Sequence, residues 1–418
     1  MKRFRARYSG FAWGFVDQAF SSATNFGLMV LAGRALGPGG LAAVVVGFTL
    51  YLIALGFQRS LVTDPLVASS SALGEVARRL AGRAALMVVL PGAAGMTIVA
   101  FAAAALIGGR FGQGVFVVAL WLPVALVQDF WRTVLFRDGR ARAAAANDGL
   151  WLVVMGILAP FAWSIGDDWA IVGCWGVGAL VAALVGVVQT GYIPIAIGAA
   201  SRWWRQEAWS LGRWLALGSI TYSLATYGTV LMLVALLGGT AFGGLRAVQS
   251  LFSPLSLLGP AIALPGLPAL VRARAESSHA ARLLTLYLSC AVTALTMLYV
   301  IVFTLSPGLL TVVFGEQFTR FHTIVLPIGL SQIVAATATG FPLLLKAQSR
   351  GRALLFAQLV GLVATLAILP ALASTRGLTG VAWGTFGSEI VASGALVIIA
   401  IRPEHERATA LPLPAEQH

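Results

Sequence analysis

Twelve long apolar segments, separated by short stretches of glycine, proline and charged residues, constrain this chain more than any other feature of its sequence. A membrane-spanning helix needs about 20 mainly apolar residues, and each segment reaches that length. The sequence therefore predicts an all-α polytopic membrane protein. The predicted spans cover residues 9–35, 41–66, 80–108, 112–137, 145–165, 169–195, 211–237, 241–269, 281–306, 318–346, 351–372 and 377–401.

Charged residues are too few to cover a water-facing surface of this size. The chain has 418 residues, of which 59% are hydrophobic and 10% are charged, whereas soluble proteins carry about 25% charged residues. This composition excludes a cytosolic enzyme, a secreted domain and a disordered protein. The two cysteines, Cys174 and Cys290, fall in separate spans without disulfide or metal-ligand spacing. We predict no metal and no cofactor.

Basic residues alternate between the two sides of the predicted membrane. Twenty-two of the Lys and Arg residues lie at the amino terminus, at the carboxyl terminus and in alternate loops; five lie in the other loops, and Arg59 lies within a span. Because the cytoplasmic loops of membrane proteins collect Lys and Arg, we expect both termini in the cytoplasm and the chain in a bacterial cytoplasmic (inner) membrane. The net charge of +13 follows from the same bias, so we expect no nucleic-acid partner.

The two halves of the chain resemble each other in sequence. Residues 39–44 recur at 243–248, and residues 140–143 recur at 350–353, in each case about half a chain away. An even number of spans in each half predicts two six-helix lobes related by a pseudo-two-fold axis along the membrane normal, with a central cavity. The predicted organisation is an amino-terminal lobe at 1–200, a cytoplasmic interfacial linker at 201–210, a carboxyl-terminal lobe at 211–402 and a disordered cytoplasmic tail at 403–418.

Charged side chains inside the predicted spans indicate a polar interior. A charge at mid-membrane costs about 2.5–3.5 kcal/mol, so it normally faces protein or a water-filled cavity. On the first span, a polar stripe of small and polar residues either lines such a cavity or packs against a neighbouring helix. Its members are Gly10, Gly14, Asp17, Gln18, Ser21, Ser22 and Asn25. Three in-span acids are candidates for coupling transport to an ion, namely Asp17, Asp129 and Glu389.

Several cations and polar residues are candidates for contacting a substrate in the cavity. Some have structural alternatives: Arg59 could extend to the headgroups, Arg132 could pair with Asp129 at i,i+3 on the helix surface, and Arg34 could cap a helix end. The last alternative applies equally to Arg246. The predicted substrate-binding residues are Arg59, Arg34, Arg246, Arg132, Gln18, Asn25, Tyr222 and Thr226.

The opening of the chain resembles that of bacterial polysaccharide exporters. The stretch DQAFSSATNF at 17–26, followed by GRALGP at 33–38, is similar to the first helix and turn of exporters in the multidrug/oligosaccharidyl-lipid/polysaccharide (MOP) superfamily. After the turn, many relatives have an acidic and aromatic pair, whereas this chain has GGLA at 39–42. The twelve spans and two halves extend the resemblance over nearly the whole chain.

The resemblance implies a flippase. Such a protein moves an isoprenoid-pyrophosphate-linked oligosaccharide or polysaccharide precursor across the cytoplasmic membrane by alternating access of two lobes. Its implied partners are the lipid-linked glycan, the bilayer and polysaccharide assembly proteins. Arginine suits the pyrophosphate because its guanidinium can bind phosphate oxygens with two parallel hydrogen bonds.

Three other functions stay open. A cation-coupled multidrug antiporter of the same superfamily would use an acidic and aromatic cavity, whereas the in-span acids and bases here roughly balance. A non-transporting membrane scaffold would not need a charged interior. A membrane-embedded glycosyltransferase would be expected to carry paired acids on a sizeable external loop, and the pair at Asp167 and Asp168 sits in a tight turn. We therefore predict a transporter and not an enzyme.

Overall fold

The computed structural model describes residues 2–70, 74–194, 197–259, 262, 269–270, 273–306, 308–348 and 350–402. Its regular structure in these ranges is entirely helical, as the sequence predicts, and the predicted tail at 403–418 lies outside the described residues. The helices are α1 (Lys2–Gln58), α2 (Asp64–Ser70), α3 (Glu75–Ile107), α4 (Gly109–Arg137), α5 (Ala141–Ile165), α6 (Asp168–Thr190), α7 (Ile197–Trp203), α8 (Trp209–Leu251), α9 (Ser278–Leu305), α10 (Gly308–Phe314), α11 (Val325–Thr337), α12 (Phe341–Ala347) and α13 (Gly351–Ile401).

Short irregular helical turns join several of these helices. A π-helical turn at Arg59–Thr63 continues α1 into α2, and another at Trp204–Ala208 continues α7 into α8. A 3₁₀ turn follows α8 at Ser253–Leu257, and a longer one at Glu316–Ile324 precedes α11. The predicted interfacial linker at 201–210 thus belongs to a helical connection between the two halves.

Glycine kinks divide the longest helices into pairs of spans. The backbone leaves the helical region at Gly37 (φ 71°), Gly238 (φ 75°) and Gly377 (φ 56°), where a residue with a Cβ would be strained. Nine helices in the described part of the chain are long and apolar enough to cross a membrane, and two of them, Trp13–Val67 and Ala353–Ile401, each contain two predicted spans. The eighth predicted span lies partly outside the described residues.

The hydrophobic core follows the contact between α1 and α8. In the amino-terminal half, α1 packs on α4 and α5, and α6 packs on α4 and α5. In the carboxyl-terminal half, α11 packs on α9 and α13, and α8 contacts α13. Two helical bundles therefore meet mainly along α1 and α8, which is the two-lobe arrangement expected from the internal repeat.

The two halves touch most closely at the end of the bundle that holds Gly37 and Gly238, called here the kinked end. A Cβ added to Gly243 would lie 1.8 Å from the carbonyl oxygen of Pro38, so only glycine fits this crossing. Near this end α1 is largely buried, whereas Gln18, towards the other end of the same helix, is exposed. The kinked end of the bundle is therefore closed by direct backbone contact between the halves.

Arg34 adds a polar contact across the kinked end. Its Nε donates to the carbonyl oxygen of Val313 at 2.8 Å, and its Nη2 donates to the carbonyl oxygen of Val312. These carbonyls belong to the last turn of α10, where helices present unpaired acceptors and favour a cation. Arg34 therefore joins the two halves in this conformation through a helix end, the capping alternative that the sequence left open.

A buried arginine organises the opposite end of the amino-terminal half. The side chain of Arg137 is 0% exposed and its Nε lies 3.0 Å from Asp138 Oδ1. Its Nη2 donates to the Tyr192 hydroxyl at 2.7 Å, and Arg78 also pairs with Asp138. Burial raises the pKa of the Tyr192 hydroxyl. The network ties α3 and α4 to the segment after α6.

Candidate functional site

A cavity of about 190 Å³ lies inside the amino-terminal half. Its walls come from both arms of α1, the π-helical turn that follows, α4 and α5. Three members of the polar stripe predicted on the first span line this cavity, namely Gln18, Ser21 and Asn25. They recur every three or four residues and therefore lie on one side of α1. The lining residues are Gln18, Ser21, Thr24, Asn25, Tyr51, Leu52, Leu55, Arg59, Gln128, Asp129, Arg132, Asp148 and Trp151.

Arg132 connects three helices at the cavity wall. Its Nε donates to Asp17 Oδ2 at 2.8 Å, and its Nη2 also donates to Asp17 and, at 3.2 Å, to Gln18 Oε1. The same guanidinium lies 3.4 Å from Asp148 Oδ2. The Asp17 side chain is only 1% exposed, so its charge is compensated inside the protein. Arg132 thereby holds α4 against α1 and α5.

Asp129 pairs with Arg59 and not closely with Arg132. Arg59 donates from Nε to Oδ2 at 3.1 Å and from Nη2 to Oδ1 at 2.5 Å. The distance from Arg132 Nη1 to Asp129 Oδ1 is 3.9 Å, so the i,i+3 pair expected from sequence is only a long contact. Asp129 pairs more closely with Arg59 because the guanidinium of Arg59 donates two parallel hydrogen bonds to its two carboxylate oxygens. The Arg59 side chain stays 42% exposed and lines the cavity instead of extending to headgroups.

Asp148 is the member of the cluster that sequence reasoning missed. Gln128 Nε2 donates to Asp148 Oδ1 at 2.6 Å and to Asn147 Oδ1 at 3.1 Å, and Asn147 Nδ2 donates to the Ala182 carbonyl oxygen at 2.8 Å. The sequence signal is an amide next to an acid, Asn147 and Asp148, in the first turn of the apolar span predicted at 145–165. This signal is weak because the two residues closely follow a basic loop, where polar residues are common.

The cluster carries more acids than bases. Asp17, Asp129 and Asp148 face Arg59 and Arg132, so full ionisation leaves one excess negative charge. Asp17 Oδ1 is buried and has no hydrogen-bond partner among the described residues. A buried acceptor without a partner is costly. The arrangement can therefore accept one proton or one monovalent cation at this carboxylate.

Arg246 has the opposite electrostatic situation in the carboxyl-terminal half. It lies on α8, where its Nη1 donates to Gln249 Oε1 at 3.0 Å. Its Nε is buried without a hydrogen-bond partner, and it forms no ion pair within the described part of the chain. A half-buried cation with a buried, unpaired Nε and no carboxylate partner is a candidate anion site.

The remaining predicted site residues are Glu389, Tyr222 and Thr226. Glu389, on α13, accepts a hydrogen bond from Ser393 Oγ at 3.0 Å, and it does not line this cavity. Tyr222 and Thr226 belong to α8, but their side chains lie outside the described residues. The structure thus brings together six predicted residues, namely Asp17, Gln18, Asn25, Arg59, Asp129 and Arg132.

No protein-family model and no curated protein sequence matches this chain, but solved structures do. An inward-facing multidrug resistance MATE family transporter of the MOP superfamily aligns with a TM-score of 0.72 and 15% identity, over 91% of this chain and 93% of that one. The lipid II flippase MurJ, in an inward closed conformation, aligns with a TM-score of 0.68 and 10% identity, over 93% and 87%.

A MOP superfamily transporter from Pyrococcus furiosus, described as having a binding pocket of reverse polarity, aligns with a TM-score of 0.62 and 15% identity over 92% of both chains. Similarity at such low identity concerns the fold and not the substrate. The chain is therefore a multi-pass membrane protein with the two-lobe helical fold of MATE and MurJ transporters.

Proposed function

We propose that this protein is a flippase that exports an isoprenoid-pyrophosphate-linked oligosaccharide or polysaccharide precursor across the bacterial cytoplasmic membrane. The observation that carries the proposal is the half-buried guanidinium of Arg246, whose Nε is buried without a hydrogen-bond partner and which has no carboxylate partner among the described residues. Such a group attracts an anion and repels an organic cation. A pyrophosphate supplies charge and oxygens that fit the guanidinium fork.

The cavity arginines of the amino-terminal half contribute differently. Arg59 and Arg132 are already paired with carboxylates, so they position the acids and lower the cost of burying them. Arg59 is partly exposed to the cavity and can also meet a passing phosphate. Arg246 is therefore the primary anion site in this proposal, and Gln18 and Asn25, which line the amino-terminal cavity, are further polar contacts.

Alternating access follows from the closed kinked end. Residues 1–200 and 211–402 would rock against each other about the linker at 201–210, with both termini in the cytoplasm. In this conformation the halves meet at Gly243 and Pro38, at the kinked end. Gln18 is exposed towards the other end of the bundle, where most of the basic loops lie. This geometry supports a state that is closed outside and receives substrate from inside. The lipid tail would stay in the bilayer.

A cation-coupled multidrug antiporter is the second candidate, and the excess negative charge around Asp17 favours it. A multidrug transporter also shares the fold. In the flippase proposal, the same charge serves to bind a coupling ion, with Asp17 and Asp129 in the cluster and Glu389 as a separate candidate. The two functions differ in the charge of the substrate: a flippase of this kind would bind an anionic diphosphate, and a multidrug antiporter would bind an organic cation.

Ligand charge can be tested with the purified full-length protein. Affinities are measured for a polyprenyl diphosphate, for the uncharged polyprenyl alcohol of the same length and for ethidium. We expect a preference for the diphosphate that Arg246→Gln weakens about 10- to 100-fold, since hydrogen bonds to charged groups contribute about 1.5–3 kcal/mol. Arg246→Lys should retain part of the preference.

Arg79→Gln is the matched control, because Arg79 forms an exposed ion pair with Glu75 on one helix. It should leave all three affinities unchanged. Tight binding of ethidium, together with equal binding of the diphosphate and the alcohol, would overturn the flippase proposal in favour of the antiporter.

A further inference from the structure

A second pocket, of about 300 Å³, lies in the carboxyl-terminal half between α8, α9 and α11. Unlike the amino-terminal cavity, its described lining contains no charged residue. Its polar groups are amides and hydroxyls, including those of Gln249, Thr296, Gln332 and Thr339, and the ring of Phe252 forms part of the wall. The two halves therefore present chemically different surfaces.

The polar groups of this pocket have unused hydrogen-bonding capacity. Thr296 is 2% exposed, and neither it nor Gln332 has a hydrogen-bond partner among the residues that the structure describes. Gln249 accepts from Arg246 through Oε1, which leaves its Nε2 hydrogens for another acceptor. All three side chains line the pocket, so their amide and hydroxyl groups fit a ligand that both donates and accepts hydrogen bonds.

The chemistry of the wall identifies the class of that ligand. An anion or a cation would find no opposite charge on the described lining, whereas vicinal hydroxyl groups match amides, which donate and accept side by side. Phe252, which is 3% exposed, forms an apolar part of the wall together with Leu255 and Leu258, and this part suits C–H groups. A volume of about 300 Å³ is at the small end of ligand pockets, which suits one ring.

We propose that this pocket binds an uncharged sugar ring, the one attached directly to the pyrophosphate. The inference rests on the proposed function, because Arg246 would hold the pyrophosphate. The hydrogen bond of 3.0 Å between Arg246 and Gln249 places the anion site and the sugar site side by side. The carboxyl-terminal half would then select the first sugar, and the charged amino-terminal cluster would serve ion coupling.

The test compares two lipids on the purified full-length protein, a polyprenyl diphosphate and the same lipid carrying one neutral hexose. We expect the wild type to bind the glycosylated lipid about tenfold more tightly. Thr296→Val and Gln332→Leu should each reduce that preference about 2- to 10-fold, as expected for the loss of one hydrogen bond. Affinity for the bare diphosphate should stay at the wild-type value.

Thr285→Val is the matched control on the same helix. Thr285 is also buried, but its hydroxyl donates to the Ala281 carbonyl oxygen at 2.8 Å and it does not line the pocket. This variant should keep the full preference for the glycosylated lipid.

Two results would overturn the sugar site while leaving the flippase proposal in place. One is equal binding of both lipids by the wild type; the other is equal weakening of both lipids by Thr296→Val and Gln332→Leu, with diphosphate binding still dependent on Arg246. If the wild type binds neither lipid, the flippase proposal fails and the sugar site fails with it.

Discussion

Replacing Gly243 by alanine tests whether the crossing of the two halves holds the kinked end closed. The new Cβ would lie 1.8 Å from the carbonyl oxygen of Pro38 and 2.6 Å from its carbonyl carbon, whereas ordinary C···O contacts are about 3.3 Å. Because the obstacle is backbone and not a flexible side chain, the two helices must separate by about 1.5 Å. Overpacking of this kind costs about 1–3 kcal/mol.

That cost applies only to conformations in which the kinked end is closed. The equilibrium should therefore shift about 5- to 150-fold towards conformations in which it is open. Spin labels at Gln113 and Arg320, which are exposed on either half near the kinked end, report the separation by pulsed dipolar spectroscopy in a background without native cysteines. We expect Gly243→Ala to add a population at longer distance.

Gly228→Ala is the control, because it lies on the same helix and a Cβ there would have no heavy atom within 4 Å. It should leave the distance distribution unchanged. If Gly243→Ala also keeps the wild-type distribution and wild-type transport, the close crossing at Pro38 does not set the conformation of the protein, and our account of the closed end is wrong.

Three further outcomes are expected. Asp17→Asn should fold but lose most transport in proteoliposomes, and Asp17→Glu should retain some, because the cluster needs the negative charge that faces Arg132. Full transport by the Asn variant would remove Asp17 from the mechanism. Arg137→Met should lower stability by about 3 kcal/mol, since it removes a buried ion-pair partner, while exposed Arg79→Met should change it by at most about 0.5 kcal/mol in thermal unfolding. Single cysteines at Asp167 should react with an impermeant thiol reagent in whole cells and those at Arg140 should not; the reverse would invert the topology.

The positions of the spans could be predicted from sequence because apolar length and the distribution of basic residues are local properties of the chain. The predicted span at 281–306 corresponds to Ser278–Leu305, and that at 169–195 corresponds to Asp168–Thr190. The polar stripe on the first span also followed from helical periodicity alone. Each of these conclusions requires only neighbouring residues and the cost of placing charge in lipid.

The partners of the charged residues depended on the tertiary structure. Helical spacing offered Asp129 as a partner for Arg132, and that ion pair is present at 3.9 Å. Arg59, which is far away in the sequence, makes the closer, forked contact with Asp129. Asp148, in the first turn of the span predicted at 145–165, meets the cluster only through the packing of α5 on α1 and α4. Arg246 lacks a carboxylate partner within the described chain. Sequence periodicity gives the direction of a side chain around its own helix. Which groups meet across a cavity is decided by the packing of helices that are far apart in the chain.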